Sequence, residues 1–392
     1  MKFRLNARTA APPLTKFIVL LWTLSIFPIA TLCQTLAHER AGAATAKGLT
    51  AGEYFKNVTT STLKGLTPSD FLGAMGVMTA AVGYDCSNCH PGAGTDFMDW
   101  VTDSNPKKVT ARKMVEMVAA INRQNFSGAQ MVTCWTCHHG MDLPTTSIAL
   151  DKLYGEPPDE RRDVVVSAEG EPPANRILDQ YIQAMGGAEK LAGIKSYLAS
   201  GYSEGYGGLG GKAAFEIFAQ APDHRGMWIH FPEHPDRGIS AWTYDGKTGW
   251  ISQPRGFMPK YELNGNDLAG AKLDSVLAFP NQVKTALSNW RVGPEDSIHG
   301  HDVYVVQGSA PGGLLGTFYF DKQTHLLVRY VRQTPSPVGR ISIQQDFDDY
   351  RDVEGVKFPF NYSFLWLDGR FTAMINEIKL NIPVDAAKFS KP

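Results

Sequence analysis

Cys86-Ser87-Asn88-Cys89-His90 and Cys134-Trp135-Thr136-Cys137-His138 are the two stretches that decide how the chain is read. Both have the form C-x-x-C-H, the signature of covalent haem c attachment. Thiols three positions apart fall within one helical turn, from which both can reach the vinyl groups of a porphyrin as thioethers. The adjacent histidine is carried beneath the iron. The pattern assigns Cys86, Cys89, Cys134 and Cys137 as the thioether cysteines of two covalently bound haem c groups, with His90 and His138 as the proximal iron ligands.

Competing uses of these residues fit less well. The chain has five cysteines, and four of them lie in the two motifs. Four thiolates would complete a zinc shell, but 44 residues separate the pairs, against roughly 15 to 20 in the usual ribbon spacing. Zinc also gives no reason for a histidine after each pair, and neither do two disulfides or a thiol redox site. For the sixth ligand, Met75 and Met78 lie one turn apart before the first motif, and Met114 and Met117 before the second. Spacing alone leaves the choice within each pair open, while Met131, three residues before Cys134, is placed for packing. Histidine–methionine ligation raises the potential relative to two imidazoles, which describes a fairly positive electron carrier.

Outward from the motifs, residues 44–150 read as short helices. Thr67-Pro68-Ser69-Asp70 is a helix start and Gly83 a stop, and Asn105-Pro106 opens a second helix that runs to about Asn125. Residues 151–173 hold Pro157-Pro158, the run Asp159-Glu160-Arg161-Arg162 and Glu169-Gly170-Glu171-Pro172-Pro173, a composition that reads as a linker. From 174 onward an apolar helix face at Ile177, Leu178, Tyr181, Ile182 and Met185 gives way to period-two segments. These are 213–219, 303–307, 317–320, 326–331 and 371–378. Asp245-Gly246, Asp321-Lys322, Glu354-Gly355 and Asp368-Gly369 supply hairpin turns, which favour an antiparallel sheet. Histidines 224, 230, 234, 299, 301 and 325 show no ligand spacing, and His139 reads as an exposed neighbour of the ligand.

Phe55-Lys56-Asn57-Val58, Asp70-Phe71-Leu72-Gly73-Ala74-Met75, Ala111-Arg112-Lys113-Met114 and Val132-Thr133 before the second motif bring a family into view. Together with the two motifs they resemble the cytochrome c subunit of photosynthetic reaction centres, over roughly residues 50 to 145. In that family each haem segment is a methionine-bearing helix, a turn and a C-x-x-C-H motif, so the resemblance selects Met75 and Met114 as distal iron ligands. The well-known members carry four haems; this chain has motifs for two and resembles one half of such a subunit. The stretch from Asn122 to Met131 lacks the histidine that serves another haem in the four-haem proteins. Residues 174–392 resemble, on pattern only, the half-barrel of LolA-type lipoprotein carriers, which implies room for a lipid acyl chain, a quinone or a protein partner; the plainer reading, and the favoured one, is a docking or spacer domain.

The whole chain is consistent with these readings. At 392 residues it is long enough for two folded units, and 20% charged residues with a net charge of -1 offer no basic surface for nucleic acid. Lys2, Arg4, Arg8 and Lys16 precede an apolar run from Phe17 to Cys33. Residues 1–37 therefore read as a signal peptide or an N-terminal membrane anchor, with Leu32 a poor neighbour for lipid attachment at Cys33. The expected architecture is multidomain: an all-α di-haem cytochrome c domain, then an α+β domain dominated by an antiparallel β-sheet, a half-barrel. The expected function is periplasmic electron transfer without bond chemistry, between donor and acceptor proteins that include a membrane-bound complex. The resemblance implies re-reduction of a photo-oxidised donor. A haem enzyme or sensor with an open distal position, and a lipid-binding module with accessory haems, are the alternatives.

Overall fold

The computed structural model describes residues 48–93, 98–147, 150–155, 163–205, 211–232, 234–254, 256 and 258–392. The expected export signal, Cys33 and the proline-and-charge run 157–162 lie outside the described residues. The first part is helical: α1 (Ala51–Tyr54), α2 (Pro68–Val82), α3 (Pro106–Asn125), α4 (Cys134–His138) and α5 (Leu150–Tyr154). Helix α2 starts where Thr67 accepts the Asp70 N–H at 3.1 Å with Pro68 in the first turn. It stops at Gly83, whose φ of 66° lets the Tyr84 N–H fold back to the Thr79 carbonyl at 3.0 Å. Asn105 caps α3 in the same way, accepting the Lys107 N–H at 3.0 Å.

Helices α6 (Ala174–Ala184) and α7 (Ala188–Gly193) lead into an antiparallel sheet of 14 strands among the described residues. A first meander holds β1 (Ser196–Glu204), β2 (Lys212–Gln220), β3 (His224–His230), β4 (Ile239–Asp245), β5 (Gly249–Ser252) and β6 (Lys260–Glu262). Helices α8 (Gly265–Leu277) and α9 (Val283–Ala286) follow, then β7 (Ser288–Val292) and β8 (Asp296–Ile298). A second meander holds β9 (His301–Ala310), β10 (Leu314–Asp321), β11 (Leu327–Ser336), β12 (Gly339–Val353), β13 (Val356–Trp366) and β14 (Gly369–Leu380). The spatial order is β6-β5-β4-β3-β2-β1-β14-β13-β12-β11-β10-β9-β7, so the pairing of β1 with β14 joins the two meanders. Each turn dipeptide read from the sequence sits in a hairpin between neighbouring antiparallel strands.

Period-two patterning does the sorting. In β14, Phe371, Ala373 and Ile375 are buried while Thr372, Met374 and Asn376 are exposed, so one face meets the core and the other meets water. The core lies between that inner face and the helices, with Ile177, Leu178 and Tyr181 of α6 packed among Phe215, Ile229, Phe318 and Phe320. Strand β10 is buried along its whole length because its outer face is covered as well. There Tyr319 joins Ile298, Val303 and Val305 in a small cluster on which Val165 packs. Gln307 donates to the Asp163 carbonyl at 2.8 Å and accepts the Val165 N–H at 3.0 Å, laying residues 163–165 along the sheet.

The described residues, 48–392, belong to one compact unit, in which the helical segment packs directly on the sheet. Two glycines on α2 permit the approach. A Cβ on Gly73 would stand 2.6 Å from Ile341 Cδ1, and one on Gly76 would stand 3.2 Å from Leu367 Cβ. The turn between β11 and β12 reaches into the helical cluster, where Val338 is fully buried beside Leu63, Ala74, Val77, Ala81, Val115 and Cys134. Gly73→Ile therefore overpacks this contact and should destabilise the chain by about 1–3 kcal/mol in urea unfolding, despite the gain in helix propensity. Ile341→Ala in the same chain should recover part of the loss.

Candidate functional site

Each motif is one capped turn. At the first, Asp85 Oδ1 accepts the Ser87 N–H at 2.8 Å and the Asn88 N–H at 3.3 Å, while Asn88 Oδ1 accepts the Asp85 N–H at 2.9 Å. The 3₁₀ turn Cys86–Asn88 follows, and the His90 N–H returns to the Cys86 carbonyl at 2.8 Å. Both thiols and the imidazole are half-buried on this turn. At the second, Thr133 and Thr136 cap each other across the start of α4, with Thr133 N–H to Thr136 Oγ1 at 3.0 Å. Cys134 is buried, Cys137 exposed and His138 half-buried.

The two histidines differ in their support. His138 Nδ1 donates to the Met141 carbonyl at 2.9 Å, which fixes the tautomer and leaves Nε2 as a free lone pair. His90 Nδ1 is buried without a hydrogen-bond partner, and the ring leans on Trp100 with centroids 5.0 Å apart. Burial, reinforced by the Lys108 ammonium, holds the His90 imidazole below its ordinary pKa, with the Asp99 backbone and carboxylate opposing the shift. A neutral imidazole is the form that binds iron.

Tertiary contacts bring the motifs towards each other. Gly140, two residues beyond His138, donates its N–H to the Ala81 carbonyl of α2 at 2.9 Å. A Cβ on Gly83 would lie 2.2 Å from the Gly140 carbonyl oxygen. The Cys134 N–H meets the Val338 carbonyl at 3.2 Å, and Asn105 Nδ2 donates to the Asn88 carbonyl at 2.7 Å. The methionines separate by environment. Met78 packs on the helical cluster, whereas Met75 is half-buried outside it. Met114 is half-buried, and Met117 and Met131 are 42% and 63% exposed, so Met131 does not do the packing that its position suggested.

The residues fit a large apolar group bound through sulfur. All four motif cysteines are free thiols, and burial pushes Cys86, Cys89 and Cys134 above the usual thiol pKa. Among the described residues no group of three or more His, Cys, Asp or Glu side chains is placed to hold a metal ion, which separates the two cysteine pairs from a zinc shell. Of the 16 large apolar side chains that stand exposed among the described residues, 14 lie between Leu49 and Val166, including Phe126, Trp135, Met141 and Leu143. A helical segment with that much bare apolar surface and so small a cluster of its own calls for a further apolar body to cover it.

Residues 29–166 match the family model of the photosynthetic reaction centre cytochrome c subunit. The resemblance read from the motifs therefore holds, and the match reaches beyond them on both sides. The photosynthetic reaction center cytochrome c subunit of Thermochromatium tepidum is 34% identical over 111 residues, 27% of this chain and 26% of that protein. That of Rubrivivax gelatinosus is 28% identical over 156 residues, 38% of this chain and 39% of that protein. The chain thus spans well under half the length of these curated relatives. Among solved structures, a LolA superfamily protein from Nitrosomonas europaea aligns at 12% identity and a TM-score of 0.36, covering 56% of this chain and 99% of that one. A DUF1329 family protein from Desulfovibrio piger aligns at 12% identity and a TM-score of 0.39, covering 56% and 98%. Those scores are too low to carry an argument. No helix among the described residues is long and apolar enough to cross a membrane.

Sequence reading missed the residues that hold the second motif in place. Asn122, buried in the last turn of α3, accepts the Met131 and Val132 N–H groups at 3.1 and 2.9 Å and donates to the Val132 carbonyl at 2.7 Å. An asparagine inside a helical run carries no signal of that kind; only the later chain shows what it meets. Asn122→Ala should cost about 1–3 kcal/mol in thermal or urea unfolding, because part-buried backbone groups before α4 lose their partner.

Proposed function

We propose that the chain is a di-haem c-type cytochrome that carries electrons on the periplasmic side of a membrane. Cys86 and Cys89 form the thioethers of one haem and Cys134 and Cys137 those of the other; His90 and His138 are proximal ligands, and Met75 and Met114 are distal. Residues 44–150 make the haem-binding part, 151–173 the connection and 174–392 the sheet that supports it. The observation that carries this reading is that both C-x-x-C-H motifs form a single capped turn within the segment that matches the family.

A bound haem c supplies a reversible one-electron iron couple. The chain's own residues do the positioning. Asp85 and Thr133 lock the motif turns, so two thiols and an imidazole project from each without further ordering. The Met141 carbonyl orients the His138 ring through Nδ1 and makes Nε2 a better donor. Met75 and Met114 are half-buried and lie outside the packed cluster, a setting they share with Met98, and they are available as soft sulfur ligands. The partners are a soluble donor and a membrane-bound acceptor of the reaction-centre type, with residues 1–37 as export signal or anchor.

Matured in a host that assembles c-type cytochromes and weighed after denaturation, the chain should carry the mass of two porphyrins; any other stoichiometry rejects the assignment. Met75→Ala and Met114→Ala should each lower the midpoint potential of one haem by ~100 mV, within the roughly 0.8 V range that axial ligands span. Unchanged potentials in a redox titration would remove those methionines from the iron.

A further inference from the structure

Between the sheet and the helices α6, α8 and α9 lies a cavity of about 100 Å³. A cavity of about 150 Å³ takes up benzene, so this one matches a body of about two thirds that size, about four heavy atoms or three waters. An acyl chain or a quinone ring is too large for it.

Sheet register sets the floor of this cavity. Tyr197 on β1 lies opposite Ala219 on β2, and Ala219 lies opposite Arg225 on β3, so the three form one row on the inner face. Neighbouring strands stand about 4.8 Å apart, and the middle residue is a fully buried alanine, so the phenol and the guanidinium flank a short side chain that leaves space above it. On β13 Tyr362 likewise lies opposite an alanine, Ala373. Tyr181 closes the group from α6.

The polar ends of these four side chains are unused. Neither the hydroxyls of Tyr181, Tyr197 and Tyr362 nor the Arg225 guanidinium makes a hydrogen bond or ion pair among the described residues. The three hydroxyls are not closed off as that of Tyr330 is, so they open onto the cavity they line. Tyr350 differs, because its hydroxyl donates to the Leu327 carbonyl at 2.8 Å. Burial holds all three phenols above the usual pKa and so keeps them protonated, while the Arg225 charge beside Tyr197 and Tyr362 works against that shift. Asp274, also in the lining, is already matched by Arg332 at 3.3 Å and leaves Arg225 without a counter-charge. Gln345, across from Tyr330, completes the polar part of the wall. A half-buried guanidinium beside three phenolic donors, with no acceptor for any of them, describes a site for a small anion.

We infer that this cavity binds a small monocarboxylate of acetate size, its oxygens accepting from the Arg225 guanidinium and from the hydroxyls of Tyr181, Tyr197 and Tyr362. A carboxylate offers about four lone-pair sites in one plane, enough for this set of donors. Chloride has no such directed acceptors, and a long-chain carboxylate exceeds the volume. The lining lies wholly between Tyr181 and Tyr362, so the inference does not rest on the haem assignment.

The test titrates the full chain, with its iron reduced, in chloride-free buffer and follows the broadening of the acetate methyl proton signal. Acetate should bind saturably, and acetamide, which has the same shape without the charge, at least about tenfold more weakly. Arg225→Gln should weaken acetate at least about tenfold and Tyr197→Phe about fivefold. Each variant removes a polar group that has no partner in the chain, so both should fold. If Arg225→Gln does not, Tyr197→Phe and the acetamide comparison decide the matter. Neither laurate nor chloride at equal concentration should displace acetate. No saturable binding, which leaves the cavity to water, equal affinity for acetamide, unchanged binding in either variant, or displacement by laurate or chloride would each overturn the inference.

Discussion

The seating of α2 is the contact on which the rest of the structure depends. One side of this helix lies against β12 and the β13–β14 turn through Gly73 and Gly76, close enough that side chains at those positions would collide with Ile341 and Leu367. Its last turn receives the Gly140 N–H, and Gly83 then turns the chain straight into the first motif. A single helix therefore sets the position of one motif through its covalent continuation and of the other through a hydrogen bond. The turn between β11 and β12 completes the seat, since Val338 fills the helical cluster and its carbonyl accepts from Cys134.

Apolar area is unevenly divided along the chain. The sheet closes over a large aromatic and aliphatic core, whereas the helical segment buries only a small cluster and exposes most of the large apolar side chains that face water. In an ordinary soluble domain that imbalance would be a liability. Two porphyrins would offset it, because each presents two wide apolar faces, and the proposed attachment then makes the cofactor part of the core as well as the source of the redox chemistry.

The junction between the helices and the sheet also holds buried charge. Burial raises Asp70 at the start of α2, and burial together with the Asp70 charge raises Asp267 on α8. Two carboxyls in one poorly solvated place disfavour double ionisation, so the junction is stabilised by proton uptake and loosens as pH rises through their elevated pKa values. Arg332, paired with Asp274 only a few residues further along α8, supplies the compensating positive charge.

Much of this was legible from residue order. The caps at Thr67 and Asn105, the stop at Gly83, the apolar face of α6 and the hairpin turns are local signals, because capping, left-handed glycine geometry and period-two patterning act within a few residues. The two C-x-x-C-H patterns were legible for the same reason, and each forms one capped turn. Tertiary structure alone decided that α2 lies on the sheet, that Asn122 braces the loop before α4, that Val338 caps the second motif, and that Tyr197 and Arg225 share a cavity. Val338 follows Cys134 by some two hundred residues, and no local pattern encodes a contact between surfaces that meet only once the chain has closed on itself.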